Sequence, residues 1–133
     1  MTTRLFRFTM NINVRGVDDD VFDQLAGSVL DQLLGGKAAG EFLQVRVLGR
    51  TPERLLKVIV EFPSVSHNTA HRFGFEKVAE TFDRLGLDTS SWFGEPHVAV
   101  TEDDGIDEWD VLVERLKGAT VTFATTGVDL VPA

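Results

Sequence analysis

The hydrophobic period of this chain switches between two and nearly four residues in successive segments, which restricts it to folds that alternate strands with helices. From Leu5 to Val14, the residues Phe6, Phe8, Met10, Ile12 and Val14 alternate with Arg7, Thr9, Asn11 and Asn13, so a strand with one buried face is predicted. Gly16 breaks the pattern, and Asp18 to Asp20 then supply an N-cap and first-turn carboxylates suited to the positive end of a helix dipole. Phe22, Leu25, Ala26, Val29 and Leu33 recur at helical spacing, predicting a helix over roughly Val21 to Leu34 that Gly35 and Gly36 stop.

Two β-rich segments follow, Phe42 to Leu48 and Leu55 to Phe62, joined by Gly49-Arg50-Thr51-Pro52-Glu53, and they read as an antiparallel hairpin. Ser64 and Ser66 offer caps for a second helix over about Ser66 to Leu85, with Phe75, Val78, Ala79, Phe82 and Leu85 as its buried stripe and Gly86 as its end. After a loop holding Trp92 and Phe93, His97 to Thr101 is expected as a short fourth strand. The order β-α-β-β-α-β over about residues 4 to 101 resembles the ferredoxin-like superfold. That resemblance implies an α+β domain with two helices on one face of a four-stranded antiparallel sheet, its first strand beside the third and the third beside the second. Residues 102 to 133 are expected to extend this single domain with a helix near Asp107 to Lys117 and a strand, about Thr120 to Thr125, at a sheet edge.

Composition removes several functions. The 43% hydrophobic content argues against disorder, and no apolar run approaches the roughly 20 residues that span a bilayer. The start MTTRLFRF lacks the apolar stretch of a secretory signal, so a cytoplasmic protein is expected. Absence of cysteine excludes disulfides, thiolate nucleophiles and Cys-based metal centres within the chain. A net charge of −8 opposes binding to phosphate backbones, so nucleic acid is a disfavoured partner.

His67 and His71 lie four apart at the start of the second helix, a spacing that metal sites use, and His97 is the third histidine. Asn68 stands where a zinc protease needs its general-base glutamate, which rules out that chemistry; the plainer expectation is that both rings fringe the core. On the outward sheet face, Arg7, Arg46 and Lys57 form a candidate anion or acidic-partner site, with Phe42, Leu48, Leu55 and Ile59 adding apolar area. Trp92 and Phe93 are interface candidates, the alternative being that they fold back over the end of the core. The acidic stretch Glu102 to Asp110 fails the calcium-loop pattern because Val100 fills the first ligand place, and Gly35-Gly36-Lys37-Ala38 lacks the elements of a phosphate loop. No nucleophile elbow, dinucleotide fingerprint or recognisable triad occurs, and no cofactor is expected.

The pattern therefore favours a non-enzymatic protein-interaction or regulatory domain acting as a homo-oligomer or as a small subunit of a larger assembly. One alternative is a small ligand binder or enzyme of the dimeric α+β-barrel type with a pocket near His67, His71 and His97. Another is an acidic decoy that presents Asp18 to Asp23 and Glu102 to Asp110 to a basic surface.

Overall fold

The computed structural model describes residues 2–87, 89, 92 and 119–132. Its elements run β1 (Arg4–Arg15), α1 (Asp19–Ala38), β2 (Gln44–Arg50), β3 (Leu55–Ser64), α2 (His67–Arg84) and β4 (Thr120–Leu130). The four strands form one antiparallel sheet in the order β2-β3-β1-β4, so the described residues have an α+β architecture with helices α1 and α2. No helix among the described residues is long and apolar enough to cross a membrane.

Strict alternation in β1 sends Phe6, Phe8, Met10, Ile12 and Val14 inward, where each is buried, and β3 matches it with Leu56, Val58, Val60 and Phe62. Both helices cover this inward face, α1 through Phe22, Leu25, Val29 and Leu33 and α2 through Ala70, Phe75, Val78 and Phe82. Each large side chain so buried contributes about 1.5–3 kcal/mol, and the shared core is what holds helices to sheet. Capping follows the sequence. Asp18 Oδ1 accepts from the Val21 amide at 2.9 Å, and Ser66 Oγ accepts from the Thr69 amide at 3.1 Å, each satisfying an otherwise orphaned helix donor.

Four expectations are corrected. Gly35 and Gly36 do not stop α1, which continues to Ala38 and ends where Gly40 takes a φ of +86°. There the Gly40 amide donates to the Lys37 carbonyl at 3.0 Å and the Glu41 amide to the Gly36 carbonyl at 2.9 Å, the paired bonds of a glycine-terminated helix. Gly36 serves packing instead, since a Cβ on it would lie 2.8 Å from the Phe42 ring. Phe42, expected on the outward face, is 3% exposed and packs against Phe62 and Phe73, because β2 begins only at Gln44 and the residues before it are free of the strand's alternation.

The sheet edge beside β1 is formed by Thr120–Leu130, a longer strand than expected and an integral part of the sheet. The expected strand over His97 to Thr101 and the helix near Asp107 to Lys117 lie outside the described residues. In β4 the pairing register shifts between Asn11 and Ile12, which face Thr125 and Phe123 and leave Ala124 unmatched. The bulge slides the alternation by one residue. Val121 and Phe123 point inward before it, and Thr126 and Val128, paired with Met10 and Phe8, point inward after it. Finally, Trp92 is no exposed anchor: it is 7% exposed, packed among Phe75, Phe82 and Phe123, and its indole Nε1 donates to the Val121 carbonyl at 3.2 Å. An aromatic ring of that size buries more favourably than it hydrates once its N–H has a partner. Phe93 lies outside the described residues.

Candidate functional site

The helices leave one side of the sheet uncovered by any described element, and the register determines which side chains share it. Across the strands at one end, Arg7 is level with Glu61 on β3 and Asp129 on β4, and its Nε lies 3.9 Å from a Glu61 carboxylate oxygen. Moving along the strands, Arg46 is level with Ile59, Leu48 with Lys57, and Arg50 with Leu55. Arg46, Lys57 and Arg50 are exposed, and none has an ion pair among the described residues. The face is thus net acidic at the Glu61 and Asp129 end and cationic at the other.

Arg7, Arg46 and Lys57 therefore all lie on the expected face but not in one group, because Glu61 and Asp129 flank Arg7. Arg50 takes its place beside Lys57. Sequence reasoning missed it by ending the strand at Leu48; the signal available was Thr51-Pro52, which places the turn after Arg50 rather than around it. Apolar area is interleaved with the cations: Leu48, 46% exposed, is level with Lys57, and the partly buried Leu55 and Ile59 are level with Arg50 and Arg46. Asn11, Leu48, Arg50, Leu55 and Lys57 border a shallow recess of about 230 Å³. Asn11 is held on this face by donating from Nδ2 to Thr125 Oγ1 at 2.7 Å.

His67 and His71 occupy the opposite, helical side. His67 meets the Phe6 ring edge-on at 5.0 Å between centroids, and His71 meets Phe8 at 5.7 Å and stacks against Phe75 at 5.9 Å. Both are exposed and fringe the core, and His71 Nε2 is 2.9 Å from Thr126 Oγ1. Among the described residues no group of three His, Asp or Glu side chains could hold a metal ion. His97 lies outside the described residues.

The acidic cluster at the start of α1 is engaged locally. Asp18 caps the helix, Asp19 meets Arg54 Nη2 at 2.6 Å, and Asp23 accepts from Thr51 Oγ1 at 3.0 Å. Two of the four acids that a decoy would present thus pin the β2–β3 turn to α1, and a third caps the helix. Arg54 sits in that turn with a φ of +53°; its guanidinium also donates to the Val17 and Thr51 carbonyls and lies 5.7 Å from the Phe22 ring centre. Glu102 to Asp110 lie outside the described residues.

Comparison of the chain with protein-family models, with curated proteins and with solved structures finds no match in any of the three.

Proposed function

We propose that this protein is a non-enzymatic interaction domain that associates with a second copy of itself through the uncovered sheet face. The observation that carries the proposal is the charge division on that face, with Arg50 and Lys57 toward one end beside Leu55 and Leu48, Glu61 and Asp129 at the other, and Arg46 level with Ile59 in between. A two-fold axis running across the strands reverses one sheet end for end over the other. It lays the cationic end of each copy over the acidic end of its partner and brings the Ile59 level of one copy toward the Leu48 level of the other. A two-fold axis along the strands would stack like charges instead, so the pattern selects one arrangement.

The dimensions are adequate. Four strands about 4.8 Å apart and ten residues long at about 3.4 Å each give a face of roughly 650 Å². Stable interfaces cover about 800 Å² per partner, so the sheet face supplies most of one. We read the fold as ferredoxin-like, and the element order together with the adjacency of β1 to β3 and β3 to β2 supports that reading; the edge position beside β1 is held by Thr120–Leu130. An open sheet face in such a domain matches the mode of dimeric α+β barrels, in which two sheets close on each other.

Sedimentation equilibrium of the purified chain between low and high salt tests the reading. A dimer that weakens as salt rises is expected, since exposed charge pairs are screened beyond about 10 Å at 0.1 M. A monomer at every concentration and salt overturns it.

A further inference from the structure

A second feature lies on the other side of the sheet, between α2 and β4. A cleft of about 600 Å³ opens there, within the size range of small-molecule sites. Its walls are aromatic. Phe75, Trp92 and Phe123 stand nearly perpendicular to one another, with centroid separations of 5.2 to 6.0 Å, so that ring faces and ring edges both border the space. Its rim is polar, formed by His71 and Thr126, joined at 2.9 Å, and by Asn68, Arg72 and Glu76 from the outer side of α2.

The β4 bulge creates this rim. Without the register shift at Ala124, Thr126 would point to the far side of the sheet and could not meet His71. Arg72 has no hydrogen bond or ion pair among the described residues, and Glu76 stands one helical turn beyond it on the same face.

We propose that this cleft binds a small planar aromatic molecule carrying a carboxylate, the ring resting against the cluster of Phe75, Trp92 and Phe123 and the carboxylate directed to Arg72 and Asn68. Arg72 supplies a planar fork of donors suited to a carboxylate, and stacking on perpendicular rings favours a flat ligand over a branched aliphatic one. Glu76 sets the specificity. It repels a second negative charge and favours ligands that present a donor next to the acid.

Titration with indole-3-acetate and with neutral 3-methylindole, followed by ¹H–¹⁵N NMR of the full chain, tests the proposal. The acid is expected to shift the Trp92 indole and α2 amide signals saturably. Arg72→Ala is expected to weaken the acid at least tenfold and to leave 3-methylindole unchanged, and Glu76→Gln is expected to tighten the acid. Both substituted residues are exposed, so the variants should retain the wild-type spectrum. Absence of saturable shifts, or an Arg72→Ala loss shared equally by the neutral probe, overturns the assignment.

Discussion

The ring of Phe8 occupies the space that a side chain on Gly74 would need: a Cβ built there would lie 2.3 Å from Phe8 Cγ and 2.7 Å from both Cδ atoms. The backbone of α2 therefore rests directly on the central strand. This contact sets how closely the helix approaches β1 and so where His71, Phe75 and the cleft beside β4 sit.

Gly74→Ala should accordingly destabilise the fold by roughly 2–3 kcal/mol, overpacking outweighing the ~1 kcal/mol that alanine gains in helix propensity. Urea unfolding measures it. Combining it with Phe8→Leu should cost less than the two single changes added, because the smaller side chain leaves room for the new methyl. Strict additivity would contradict the contact.

Trp92→Ala should cost about 3–5 kcal/mol, the range for an aromatic side chain removed from a core. Trp92→Phe should cost less, on the order of 1–2 kcal/mol, through the lost donor to the Val121 carbonyl. Thermal and chemical denaturation report both. Were Trp92 instead an exposed anchor, Trp92→Ala would change assembly while leaving the unfolding transition in place.

Arg54 holds the β2–β3 turn in a left-handed conformation while its side chain ties that turn to α1. Both Arg54→Ala and Arg54→Gly remove the tie. Only alanine keeps the backbone strain, so Arg54→Gly should be the more stable of the two by about 1 kcal/mol. Equal unfolding free energies would show that the turn conformation carries no such strain.

Much of the architecture was legible because single residues repeat a period. The inward ladder Phe6 to Val14 and the stripe Phe75 to Leu85 each have one arrangement that buries them. Local exceptions were not legible. Glycines at 35 and 36 look like a stop, yet each costs a helix only about 1 kcal/mol, and the seating of Phe42 against Gly36 is a tertiary contact that no local pattern announces. The β4 bulge hid the second half of its strand, since Thr125, Thr126 and Gly127 break the alternation expected from Val121 and Phe123. At the candidate site, the outward positions of Arg46 and Lys57 followed from parity alone. The pairing of Arg7 with Glu61 follows from the same parity, whereas Asp129, level with Arg7 on the other side, could not be placed until the bulge was known.

The central claim is that complementary ends of the sheet face bring two copies together, and the most direct test is a mixing experiment followed by native mass spectrometry. One variant carries Arg50→Glu and Lys57→Glu, the other Glu61→Lys and Asp129→Lys. Each alone is expected to be monomeric, because its own two ends then repel. Mixed in equal amounts, the two should form a heterodimer, since reversed cationic ends meet reversed acidic ends and the native ends still match. A dimer that survives in either variant alone, or a mixture that stays monomeric while the wild-type chain dimerises, would contradict the account.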